Sequence, residues 1–137
     1  MSSATDLALP RCKANEGFRS QKYTDSRGFL TIGYGFNVDA GISEYAAAML
    51  CSAQLAEAET DLSNFVWYAS VDAVRQSVLV ELAFNMGIHK LQGFHNMLAA
   101  CEKADWPKAA SELQNSAWFT QVGHRGPQLV RLLHDGG

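Results

Sequence analysis

Two periodicities divide this chain. Short β-favouring runs, Lys22 to Thr24 and Phe29 to Tyr34, lie on either side of the turn signal Asp25-Ser26-Arg27-Gly28. They predict a small hairpin, or part of a three-stranded sheet. Ahead of them, Leu9, Cys12 and Glu16 recur at helical spacing. This predicts a short helix from about Asp6 that ends at or beside Glu16, with Gly17 as its stop and Pro10 tolerable only near the first turn.

After Tyr34 the pattern is helical. Ser43 is placed to cap a long helix through "EYAAAMLCSAQLAEAETDLSNF", rich in Ala, Leu and Glu. Ser70 is placed to cap a second, in which Val71, Val74, Val78, Leu82 and Met86 form an apolar stripe closed by Gly87. Shorter helices are predicted from Leu91 to Lys103, from an Asp105 cap to Asn115, and from His124 to Leu133, with a turn around Trp118 and Phe119. The fold class is therefore α+β. A small antiparallel sheet and a helix occupy residues 1–42, a connecting helix 43–67, and a predominantly helical lobe 68–137, with a cleft expected between the lobes.

Length and composition narrow the classes. A chain of 137 residues with 47% hydrophobic and 18% charged residues fits one globular domain. A net charge of -3 gives no general reason to expect nucleic acid or an anionic membrane as partner. No apolar run is long enough to span a bilayer, and the first residues lack the basic and apolar regions of an export signal. Cys12, Cys51 and Cys101 are odd in number and lack CxxC spacing, which predicts reduced, mostly buried thiols. The four histidines show no HExxH spacing, so no metal or other cofactor is expected, and no GxSxG elbow is present. Trp67, Trp106 and Trp118 are read as packing residues, and a monomer is the default.

The segment from Glu16 to Gly35 carries the candidate chemistry. Glycoside hydrolysis needs one carboxylic acid to protonate the leaving oxygen and a second carboxylate to activate water or stabilise an oxocarbenium-like transition state. Glu16, at a helix end with Leu9 and Phe18 nearby to exclude water, suits the first role, and Asp25, in a polar turn, the second. Thr31 on the following strand is placed to hold a water, and Gly33 and Gly35 to let a bulky polymer approach. On spacing alone, solvated surface charges explain the same two acids.

The stretches "NEGFRSQKYTDSRGFLTIGYG", "VDAVRQSVLVELAFNMG" with "LQGFHNML", and "DWPKAASELQNSAWFTQVGHRGPQLVRLL" resemble, in family order, the lysozymes of the T-even bacteriophages, the phage endolysin muramidases. The resemblance implies cleavage between N-acetylmuramic acid and N-acetylglucosamine in bacterial peptidoglycan, with inversion, to burst the host. It puts the catalytic acid on Glu16, the second carboxylate on Asp25 and the water-holding threonine on Thr31. It makes Arg125 the arginine that pairs with the catalytic acid, and Phe84 and Asn85 cleft residues, Asn85 able to bond an acetamido group. It also implies synthesis in the host cytoplasm, no stable membrane insertion, and access to the wall through a lesion made by a holin. Phe36 departs from the histidine many relatives carry there. A non-catalytic wall-binding module and a lytic transglycosylase using Glu16 alone are the rival readings.

Overall fold

The computed structural model describes residues 3–137. The chain divides into two compact units at Ala48 and Met49. In the first, α1 (Ala4–Glu16) starts earlier than Asp6 because of a reciprocal cap: Ser3 Oγ accepts from the Asp6 N–H, and the Asp6 carboxylate accepts from the Ser3 N–H. The earlier start leaves Pro10 in the helix interior, a position that costs about 3 kcal/mol. At the other end the Gly17 N–H, at φ +70°, closes on the Lys13 carbonyl. No residue of α1 is buried.

Three strands follow, β1 (Arg19–Thr24), β2 (Leu30–Gly33) and β3 (Phe36–Asn37), in the antiparallel order β1-β2-β3. Of the two expectations, the structure forms the three-stranded sheet. Tyr23 pairs with Thr31 and Thr31 with Asn37, so Thr31 is at the centre of the sheet. A bulge between Arg19 and Tyr23 bends the outer strand. The turn into β2 is closed by the Gly28 N–H on the Asp25 carbonyl, 3.0 Å.

The division between units falls inside α2 (Glu44–Leu62), where Ser43 Oγ accepts from the free N–H of Ala46 at 3.1 Å, as expected of the cap. Within the second unit, a 3₁₀ turn at Tyr68–Ser70 precedes α3 (Ala73–Met86). Ser70 is not the cap of α3. The Ser70 N–H is tied back to Trp67, and Asp72 takes the role instead, accepting from the Arg75 N–H at 3.2 Å and from Arg75 Nη1 at 3.0 Å. Burial disfavours the charged form of Asp72, but these hydrogen bonds and the Arg75 charge outweigh it and lower its pKa.

The helix expected over 91–103 is two, α4 (Ile88–Gln92) and α5 (His95–Glu102). Gly93 and Phe94 break it by turning their N–H groups to the carbonyls of Lys90 and Leu91. Asp105 caps α6 (Trp106–Gln114), with Pro107 harmless in the first turn, and Ser116 caps α7 (Ala117–Gln121), a helix where a turn was expected. The last helix is α8 (Arg125–Asp135).

The core belongs to this unit. Val78, Leu79 and Leu82 of α3 meet Leu91, Met97, Leu113, Leu129 and Leu133, all essentially sealed from solvent, each worth about 1.5–3 kcal/mol of burial. Trp118 is buried, while Trp67 and Trp106 are half-buried against the same cluster. Arg75 ties α3 to the end of α8: its Nε donates to the Leu133 carbonyl at 2.8 Å, Nη2 to that of His134 at 2.6 Å, and its guanidinium covers the Trp106 ring. Cys101 is buried in the core, whereas Cys12 and Cys51 are exposed on α1 and α2, contrary to the expectation of mostly buried thiols.

Candidate functional site

Strand β2 organises the acids of the first unit. The turn before it carries Asp25, the turn after it carries Gly35, and Thr31 stands between them. Asp25 is fixed by its own loop: one carboxylate oxygen, Oδ1, accepts from the N–H groups of Arg27 at 2.9 Å and Phe29 at 2.8 Å. The other, Oδ2, has no partner among the described residues, so it is available to a water or a ligand.

The backbone of Phe29 joins Asp25 to Thr31. Its carbonyl accepts both the Asp25 N–H, 2.9 Å, and the Thr31 hydroxyl, 2.9 Å. Thr31 is the one buried polar side chain among the described residues, 3% exposed. Its proton is committed to Phe29, so Oγ1 keeps its lone pairs as an acceptor.

Glu16, the last residue of α1, folds its carboxyl group over Gly35. A Cβ added at Gly35 would fall 2.9 Å from Glu16 Cδ and closer still to Oε2, and Gly35 has φ +76°. The glycine is needed twice, for the turn and for the close approach of the acid. At Gly33, φ +69°, the corresponding space is taken by the Phe36 ring, 2.9 Å from such a Cβ. The apolar shield expected around Glu16 is not formed. Leu9 and Phe18 are 57% and 64% exposed, and the Phe18 ring packs on Tyr34 instead.

In the second unit, Arg125 Nε lies 3.1 Å from Glu81 Oε2. Both side chains line a groove of about 690 Å³ with Glu59, Gln76 and Phe84. Glu59 is already engaged by the Tyr68 hydroxyl at 2.6 Å; burial first, and then this carboxylate, raise the pKa of Tyr68 well above the usual phenol range. Phe84 is 37% exposed, a partly open aromatic face rather than core. Asn85 has its carbonyl end held by Trp118, whose Nε1 donates to Oδ1 at 2.8 Å. What Asn85 offers to solvent is therefore its two amide protons. Glu81 was not singled out in the sequence, where nothing marks it as the counter-charge of a residue on a distant helix.

Residues 13–132 match the phage lysozyme family, and the chain belongs to it. Its α+β architecture is that of a lysozyme-like glycosidase. The chain is 26% identical to a protein named probable T4-type lysozyme 1 from Dictyostelium discoideum, across 90% of this chain and 91% of that protein. A second one from the same organism, probable T4-type lysozyme 2, is 23% identical with the same coverage. The pre-baseplate central spike protein Gp5 of Enterobacteria phage T4 is 26% identical over 90% of this chain, which spans only 27% of the length of Gp5.

Proposed function

We propose that this protein is a muramidase that hydrolyses the β-1,4 bond between N-acetylmuramic acid and N-acetylglucosamine in bacterial peptidoglycan. Glu16 gives its proton to the leaving oxygen. Asp25, through its unpartnered Oδ2, activates or orients a water that Thr31 also holds, and the water attacks the anomeric carbon from the opposite side, with inversion. Arg125 pairs with a carboxylate of the reacting site, and Phe84 and the outward amide of Asn85 meet the sugar and its acetamido group. Peptidoglycan is the partner; the protein acts as a monomeric endolysin made in the host cytoplasm and reaches the wall after a holin opens the membrane.

The observation that carries this reading is the shared Phe29 carbonyl. It locks an aspartate with one free oxygen to a buried threonine hydroxyl on the strand whose far turn receives Glu16. The test is clearance of a peptidoglycan suspension by the wild type and by Glu16→Gln. Loss of the general acid lowers the rate by about 10²–10⁴-fold with unchanged thermal unfolding. A Glu16→Gln protein that clears walls at the wild-type rate refutes the assignment. A wild type that sediments with walls without clearing them is a binding module, and 1,6-anhydro ends in the released sugars mark a transglycosylase.

A further inference from the structure

Strand β1 carries an arginine that is laid on an aromatic ring and left without an anion. Arg19 Cζ lies 4.2 Å from the centroid of the Tyr23 ring. An unbent strand sets such positions about 13 Å apart along the chain. The bulge between them bends β1 and brings the two side chains together. Arg27 makes a looser contact of the same kind, 5.5 Å from the Phe29 ring, and Lys22 makes none among the described residues.

The Tyr23 ring attracts the cation through its π electrons, which do not replace an oxygen acceptor. Among the described residues the Arg19 guanidinium has no ion-pair partner, although the first unit holds Asp6, Glu16, Asp25, Asp39 and Glu44. Arg19 is exposed and Tyr23 half-buried, so the ring anchors the group while its N–H fork stays open to solvent. That fork fits the two oxygens of a carboxylate.

The register of the sheet says what passes over it. Tyr23 stands directly opposite Thr31, and Arg19 opposite Gly33, two positions further along β2. Directly paired residues point to the same face, as do alternate residues of one strand. Arg19 and Tyr23 thus share the face that carries Thr31, and β1 ends one residue before Asp25.

We propose that Arg19 is a specificity-determining residue: anchored on the Tyr23 ring, it binds a carboxylate of the peptide stem carried by the glycan. The proposal deepens the muramidase reading and rests on it for the identity of the anion. Arg19 touches no reacting atom; it favours stem-bearing strands over bare ones, and Tyr23 acts through Arg19.

Steady-state kinetics on glycan strands with intact stems, and on strands stripped of stems by an amidase, test this. Arg19→Gln raises KM about threefold to tenfold on intact strands, leaves kcat unchanged and does nothing on stripped strands. Arg19→Lys recovers only part of the loss, because an ammonium lacks the fork. Tyr23→Phe keeps the ring and behaves as wild type, whereas Tyr23→Leu raises KM on intact strands and adds nothing in an Arg19→Gln background. Lys22→Gln removes the same charge without the ring contact and leaves both substrates alone. Unchanged KM in Arg19→Gln, an equal rise on stripped strands, or an equal rise in Lys22→Gln overturns the proposal.

Binding without turnover keeps this test apart from that of the muramidase reading. The Arg19 Nε–Hε signal in ¹⁵N spectra of the full chain shifts on titration with N-acetylmuramyl tetrapeptide, and stays in place with the same compound amidated at its carboxyl groups. A shift with both compounds, or with neither, overturns the carboxylate assignment whether or not the protein clears walls. A carboxylate-dependent shift in a protein that clears no walls removes the muramidase reading and keeps Arg19 as the contact to the stem.

Discussion

Each of the two units is ordered by different physics. In the second, a continuous apolar cluster from α2 to α8 is sealed from water. In the first, up to Ala48, the one buried side chain among the described residues is the hydroxyl-bearing Thr31, while Leu7, Phe18, Phe36 and Ile42 are each more than half exposed. Order there comes from capping bonds, a strand ladder and glycines with positive φ, all local to the segment that carries Glu16 and Asp25. A site built on backbone hydrogen bonds keeps its carboxylates near water. The second unit draws its own stability from burial, which this segment lacks.

The contrast is sharpened by substitutions. Leu82→Ala, at 0% exposure in the core, lowers the free energy of unfolding by about 2–5 kcal/mol in urea titration. A smaller loss would mean that the cluster relaxes around the cavity. Arg75→Ala removes donors from the last carbonyls of α8 and from the Asp72 cap and costs about 1–3 kcal/mol by the same measurement, although its net charge effect on the surface is slight. Gly35→Ala has the opposite profile. It strains a left-handed position by about 1–2 kcal/mol, and it displaces the Glu16 carboxyl, so wall clearance falls at least tenfold while the core is untouched. Equal activity in Gly35→Ala would separate that glycine from the acid.

Much of the helical part of the chain, from Ser43 onward, was legible because its signals are local. Ser43, Asp105 and Gly87 are capping residues within a few positions of the bonds they make, and the apolar stripe of α3 follows from its period. The errors have equally local causes. Ser70 and Asp72 are both good caps two residues apart, and the choice was made by Arg75, which bonds only Asp72. Gly93 broke a helix that Phe94 and His95 would otherwise have continued, and Pro10 stayed inside α1 because the Ser3–Asp6 cap starts the helix earlier.

In the candidate site, Glu16, Asp25 and Thr31 were picked out in the sequence by the chemistry that glycoside hydrolysis would need. The Phe29 bond that joins two of them was not, because a backbone carbonyl carries no mark in the sequence. Arg125 with Glu81, and Asn85 with Trp118, unite side chains remote in the chain, and only tertiary packing chooses such partners.

The placement of Cys101 gives the protein a reporter of its own. Desolvation pushes its thiol up to about 12, so in the folded state it offers almost no thiolate to an alkylating reagent, while Cys12 and Cys51 stand in the open. Modification of native protein should therefore proceed in two stages, two rapid equivalents and a third whose rate is set by how often the helical core opens. Timing that third stage measures the breathing of the scaffold separately from whatever happens around the acids.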